Sequence, residues 1–515
     1  MRRHKLLWAL CALVILLAGC GPAATPTPTA NDSDLLGLTA TARAVSAATG
    51  VSARPTVTAA PSDTPQAAST PPASSPQALS SAPASTPQAL SSAPASTPQA
   101  LSSAPETRPP IATPTDTPAP PTPTPQPLPP EVLKQGFGQQ GRAVGVGLLV
   151  RNPNPGLALQ MASYHITAYD AAGAGVGTAQ GVLSLLPGQE TGLAALIYLQ
   201  QEVKVARIEA GATGGMALAM APAPGLSGSA AAYLPGDPAI PGSARATGLL
   251  ANPYARVAPH PLASAVLYNA QGEIIGGGFD RIEFILPNDH TGVSFYAVAG
   301  GEVAGAELYG MEEALALPAD ADPPGVQPPV VRQEGYAAGP RRVNFAALVE
   351  NPNAGWAMDG GLWQVTVLAA DGTVLGAESG VAPLVLPGQT LGVTGFFDVS
   401  DAQPVAQIET RVYRNKWTPV EAHPPFAVEN VRYEPGQGLA RVTGEVANPY
   451  DREIKNVWTY AVLYDAAGGI IGGARGSAGP LPAKGKAATE VTLDFDATPA
   501  RVELYAAASY VSELP

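Results

Sequence analysis

An Asn-Pro pair closes an alternating apolar run four times in this chain of 515 residues. The four are Val150-Arg151-Asn152-Pro153-Asn154, Leu250-Ala251-Asn252-Pro253-Tyr254, Val349-Glu350-Asn351-Pro352-Asn353 and Val446-Ala447-Asn448-Pro449-Tyr450, a period of about 100 residues. Two further landmarks follow in each period, always in the same order. A Leu-Pro turn comes first, at Leu186-Pro187, Leu286-Pro287, Leu386-Pro387 and Leu481-Pro482; a strand carrying Glu209, Glu307, Glu409 or Glu503 then closes the unit. Three landmarks in one order, four times over, define tandem copies of one domain.

The copies alternate in kind. The first and third share Asn-Pro-Asn and a strand that opens with Gly136-Phe137 or Gly335-Tyr336. The second and fourth share Asn-Pro-Tyr and a long match, Ala265-Val266-Leu267-Tyr268-Asn269 through Gly276-Gly277 against Ala461-Val462-Leu463-Tyr464-Asp465 through Gly472-Gly473. An A-B pair duplicated whole accounts for this, with A1 at 131–220, B1 at 221–317, A2 at 326–416 and B2 at 424–515. Pro-rich joints at 221–241, 318–329 and 416–425 separate the units.

Inside a unit the pattern reads as strand throughout. Val442-Thr443-Gly444-Glu445-Val446 alternates, Trp458 to Tyr464 is rich in β-formers, and the Gly between Asp465 and Ile470 supplies the positive φ of a hairpin turn. About seven short strands per unit, with turns every 8–12 residues, predict an immunoglobulin-like β-sandwich. The expected fold class is therefore all-β, four tandem sandwiches in an A-B-A-B duplication. At Leu463-Tyr464-Asp465 the fourth unit resembles the FxLYD domain, a bacterial extracellular β-sandwich module; Ala461 stands in place of its leading Phe. The second unit has Leu267-Tyr268-Asn269, the first Ala168-Tyr169-Asp170, and the third departs to Val367-Leu368-Ala369 before Asp371-Gly372. The resemblance implies an envelope accessory module with no known chemistry.

The N-terminal region fits such a location. Arg2, Arg3, His4 and Lys5 precede an apolar run from Leu6 to Ala18, about 13 residues and too short for a membrane span. The run ends in Leu17-Ala18-Gly19-Cys20, which resembles the bacterial lipobox. That resemblance implies cleavage between Gly19 and Cys20, so that residues 1–19 leave and the Cys20 sulfur carries the lipid. Residues 20–130 are low in complexity, with an eleven-residue unit repeated at Ala73–Pro83, Ala84–Pro94 and Ala95–Pro105. Proline blocks helix and central strand, and Ser, Thr and Ala bury too little apolar area to offset ordering entropy. A disordered Pro/Ser/Thr/Ala-rich tether is expected there, with a contour of about 340 Å at polyproline II rise.

Cys11 departs with the leader, so the mature chain has neither a disulfide nor a thiol pair for a metal. Loss of Arg2, Arg3 and Lys5 takes the formal charge from −13 to about −16, which excludes nucleic acid as a partner. His165, His260, His290 and His423 fall in separate stretches without metal-ligand spacing. Asp170, Asn269, Asp371 and Asp465 occupy hairpin turns, where a short side chain caps backbone N–H groups; no Asp ladder points to Ca²⁺. No cofactor is implied. Trp363 and Trp458 lie in predicted strands and are expected in the core. Tyr254, Trp356 and Tyr450 flank the Asn-Pro turns and are the expected exposed aromatics for stacking on a sugar or anchoring a partner.

These features lead to a non-enzymatic surface lipoprotein. It is anchored to the cell membrane through its lipid, faces outward, and displays sandwiches for structural or adhesive contact with a cell-wall or envelope polymer or protein. The alternative is a receptor that takes a glycan or small molecule between paired domains.

Overall fold

A computed structural model describes residues 126–514 apart from 237–241, 314, 316–321, 340–341, 400–403, 422, 437–438 and 496–497. The leader, Gly19, Cys20 and the tether as far as residue 125 lie outside the described residues. Among the described residues there is no α-helix, and the named strands pair antiparallel. The chain is all-β, built as tandem sandwiches.

A1 contains β1 (Glu131–Gln140), β2 (Ala143–Arg151), β3 (Leu157–Tyr169), β4 (Gly175–Leu185), β5 (Glu190–Tyr198), β6 (Arg207–Thr213) and β7 (Met216–Ala219). Its first sheet runs β1-β2-β5 and its second β4-β3-β6, with β7 prolonging β6 along β3. B1 contains β8 (Ser227–Leu234), β9 (Arg245–Ala251), β10 (Ala258–Pro259), β11 (Leu262–Tyr268), β12 (Ile274–Arg281), β13 (Phe284–Ile285), β14 (His290–Ala299) and β15 (Gly305–Met311). A2 contains β16 (Val330–Ala338), β17 (Arg342–Glu350), β18 (Trp356–Asp359), β19 (Leu362–Leu368), β20 (Val374–Val381), β21 (Thr390–Asp398), β22 (Gln407–Tyr413) and β23 (Lys416–Pro419). B2 contains β24 (Ala427–Glu434), β25 (Ala440–Ala447), β26 (Val457–Tyr464), β27 (Ile470–Ala478), β28 (Lys486–Leu493) and β29 (Arg501–Ala508).

Each unit is three main strands on three, and the short strands β7, β10, β13, β18 and β23 bring the totals to between six and eight, around the expected seven. In the A units the sheets stay separate; in B1 the ladder closes through β12-β14 and β8-β15, and in B2 it joins only at β27-β28. The core follows from alternation. Val144, Val146, Leu148 and Val150 of β2 point inward and are at most 1% exposed, meeting Ile166 and Ala168 of β3. Each such side chain contributes about 1.5–3 kcal/mol by leaving water.

The Asn-Pro and Leu-Pro landmarks turn out to be one structure. Asn351 is fully buried; its Nδ2 donates to the carbonyls of Trp356 (2.7 Å), Val385 (3.1 Å) and Leu386 (3.2 Å), and its Oδ1 accepts from Asn353 N (3.1 Å). Its backbone N–H donates to Gln389 O. Asn152, Asn252 and Asn448 repeat the pattern onto Leu186, Leu286 and Pro482. The proline beside each has no donor to leave orphaned, so the strand ends there and the amide ties its end to the later turn.

Successive units meet sheet to sheet. The first sheet of A1 lies on the second sheet of B1, the first sheet of B1 on the second of A2, and the first sheet of A2 on the second of B2. The outward row of each second sheet records this. Ser264 and Val266 in B1, Gln364 and Thr366 in A2, and Tyr460 and Val462 in B2 are all at most 4% exposed, whereas at the same positions of A1 His165 is exposed and Thr167 half-buried. On the last first sheet, B2 offers Arg441, Thr443 and Glu445 where A1 has Gly145, Gly147 and Leu149. Polar outer faces on the first and last units are what a closed tandem array requires.

Candidate functional sites

The expected surface aromatics belong to the clamps. Two residues after each clamp Asn, a side chain reaches back to the segment entering its unit. Asn154 bonds Leu128 in both directions (Nδ2 to O 2.8 Å, N to Oδ1 2.9 Å), and Asn353 does the same with Gln327. The tyrosines of the B units use their hydroxyls: Tyr254 donates to Pro224 O and Tyr450 to Pro424 O, both at 2.8 Å. Asn-Pro-Asn and Asn-Pro-Tyr are thus two ways to hold one carbonyl. Tyr450 is not the exposed aromatic expected from the sequence. It is 5% exposed, edge-on to Phe426 at 5.7 Å, and burial pushes its hydroxyl pKa up to about 12. Tyr254 and Trp356 are half-buried, and Trp356 packs on the A2 core. Tyr450→Phe should lower stability by about 1 kcal/mol, read as a shift of the urea midpoint at unchanged slope, because one hydrogen bond is lost with no cavity.

The turn residues behave as capping groups. Asp465 Oδ1 accepts from Ala467 N and Gly469 N, and Asp170 and Asn269 do likewise. Asp371 is offset: Ala369 holds the equivalent position, and Asp371 caps Thr373 N instead. Trp363 is in the core at 7% exposure, but Trp458 is not. It sits on the outer row of β26 at the rim of the seam, 36% exposed, with Arg475 4.8 Å over its ring and Nε1 donating to Ser509 Oγ. Tyr464 of the Leu-Tyr-Asp stretch donates to Glu503 (2.8 Å) under the guanidinium of Arg501, 3.8 Å from the ring. Tyr268 pairs with Glu307 in the same way, and burial together with that bond pushes its pKa up to about 12. In the B units the closing glutamates therefore fasten tyrosines across the sheet, whereas Glu209 and Glu409 of the A units pair with Arg207 and Arg411.

Glycine makes the A-B seams. A Cβ on Gly136 would lie 2.0 Å from Ile274 O, and one on Gly335 would lie 2.0 Å from Ile470 O, the equivalent atom of the second pair. Gly145 and Gly147 meet the Gly277 and Gly276 carbonyls in the same manner. Gly276 and Gly472 also carry φ of +155° and +122° at a bulge, a conformation that other residues avoid. Tyr309 and Tyr505, in the closing strands, cover Gly192 and Gly392. Backbone meets backbone at Gly136, Gly145, Gly147 and Gly335, and a tyrosine ring lies on the backbone at Gly192 and Gly392.

The B1–A2 junction is chemically different. Arg411, with its side chain 12% exposed, grips Asp289 through two bonds (2.8 and 3.0 Å) and donates to Glu409 at 2.9 Å. His290 lies 3.4 Å from Glu409 and 3.5 Å from Asp289. Burial alone would push the Asp289 carboxyl up, but the bonds from Arg411 and the His290 backbone hold it below its usual range. Burial raises Glu334, which accepts from Thr410 N at 2.7 Å. These groups border an open hollow of about 330 Å³ with Leu286, Pro329, Val331 and Val412. Thr291 Oγ1 donates to Gln364 Oε1, and Gly292 N donates to Thr366 Oγ1.

No protein-family model matches the chain, and no curated protein matches it significantly. Among the described residues no three or more His, Cys, Asp or Glu are grouped to hold a metal ion, and no helix is long and apolar enough to cross a membrane. A partly buried ion cluster such as that around Arg411 is costly to desolvate, so its contribution is register more than net stability.

Proposed function

We propose that the chain is a non-enzymatic lipoprotein of the cell envelope, anchored through Cys20 and reaching outward on its proline-rich tether. Its four sandwiches act as an arm for structural or adhesive contact with an envelope polymer or protein. The observation that carries this reading is the continuous sheet-on-sheet packing from A1 to B2. It joins four small domains into one array with polar end faces and commits the repeated landmarks, Asn clamps and glycine seams alike, to architecture. The alternative receptor, with a glycan or small molecule held between A and B, is left little room where the seams bring backbone against backbone. An extracellular module of the FxLYD kind suits the arm.

The anchor is the part most directly tested. Cys20→Ser should move the protein from the membrane fraction to the soluble fraction and abolish palmitate labelling. A variant that stays on the membrane, or a wild-type chain that takes up no palmitate, would sink the anchor. Purified mature protein should also sediment with isolated cell walls or bind a defined envelope protein; binding to neither would count against the arm.

A further inference from the structure

We infer that the array moves as two rigid bodies, A1–B1 and A2–B2, jointed at the B1–A2 junction and held there by a polar latch centred on Arg411. This does not depend on the anchor or on what the arm contacts, because it rests on how the three junctions are built.

Apolar clusters run across both A-B seams. Met311 of B1 belongs to the A1 core, and Leu262 packs against it. In the second pair Ala346 of A2 clusters with Val462, Tyr464 and Ile470 of B2, while Leu384 and Leu386 of A2 join Phe426 and Tyr450 of B2. The core of B1, by contrast, contains no A2 residue, and the A2 core contains none from B1. What crosses that junction is mainly directional, the Arg411–Asp289 fork, the His290–Glu409 contact and the Thr291–Gln364 and Gly292–Thr366 bonds, together with a ring contact of Phe284 to Tyr413 at 5.4 Å. Water can replace the hydrogen bonds of a polar junction at little net cost, whereas opening a dry seam exposes apolar surface without compensation. Small polar interfaces between domains are where relative motion is expected. The connecting segment is pinned on either side, Glu312 by Arg256 and Asp322 by Arg414 and Trp417. Parting of the latch would leave each body intact.

The hairpin tips offer equivalent probe sites, since Ala171, Ala270, Ala370 and Ala466 are all exposed. Cys11 and Cys20 are the only cysteines, so the full chain with both changed to Ser takes paired spin labels at introduced cysteines. Labels at 171/270 and 370/466 should give narrow distance distributions, and labels at 270/370 one about twice as broad, as for a jointed pair of domains. Three equally narrow distributions, or three equally broad ones, would overturn the two-body reading. Arg411→Gln should broaden the 270/370 distribution alone; no change there would overturn the latch. Gly292→Leu, whose Cβ would meet Thr366 at 2.2 Å, should do the same by wedging the junction. Should either variant misfold, the comparison of the three pairs in the otherwise unaltered chain still decides.

Discussion

Gly335→Val lowers the stability of the A2–B2 pair by about 3 kcal/mol or more, near the upper end of what overpacking costs a close-packed interior. The reason is the identity of the obstacle. A Cβ at residue 335 would sit 2.0 Å from Ile470 O and 2.7 Å from its carbonyl carbon, and a backbone cannot rotate aside as a side chain can. Either β16 withdraws from β27 or the pair parts, and parting exposes Val462, Tyr464 and Ile470, which are at most 7% exposed in the array. Urea unfolding should show an earlier midpoint, and probes of A2 and B2 should cease to unfold together. Gly156→Val is the matching control, because no atom lies within 4 Å of its Cβ and its φ is not in the left-handed region. A Gly335→Val variant as stable as the Gly156→Val control would mean that the seam is not close-packed. Gly136, at the equivalent position facing Ile274 O, should respond like Gly335.

The contrast between those glycines shows what the sequence discloses. The strands, the hairpin turns and the A-B alternation are legible because each depends on local pattern: period-two apolarity, an Asp or Asn at a turn, a Pro at a strand end. The partners across units are not legible, since a Gly in a strand is equally consistent with a bulge and with close approach of another backbone. The glycine pairs at 276–277 and 472–473 therefore look like conformational punctuation, and only the opposing sheet shows them to be an interface. Tyr450 fails for a related reason. A tyrosine beside a proline turn resembles a surface aromatic until the entering segment, 26 residues earlier, supplies the carbonyl at Pro424. Arg411 gives no signal of its own, because Asp289 lies in another unit. A signal does exist in the outward rows of the second sheets. Gln364-Thr366 is polar where Tyr460-Val462 is apolar, and that difference marks the B1–A2 junction as unlike the A2–B2 seam.

The clamp asparagine is where a single change should do most within one unit. Asn351→Ala removes the donation to three carbonyls and two accepted bonds, from Asn353 N and Nδ2, at a site with no solvent access, leaving the Trp356, Val385 and Leu386 carbonyls to find water or go unpaired. At about 1 kcal/mol net for each bond, with the penalty for orphaned buried groups added, the loss should be roughly 3–5 kcal/mol. A cavity alone would cost less, and Asn351→Asp separates the two causes. Aspartate keeps the shape and the acceptor for Asn353 N, but as a carboxylate it donates nothing and faces carbonyl oxygens. Burial and those oxygens raise its folded pKa above the unfolded value of about 3.9. The folded state then binds the proton more tightly, so the deficit of Asn351→Asp relative to the unsubstituted chain should shrink as pH falls and grow as it rises through the folded pKa. Asn351→Ala should show a deficit that does not change with pH. If the two variants instead lose the same amount at every pH, the clamp acts by filling space, and hydrogen bonding to the Leu386 turn is not what closes the unit.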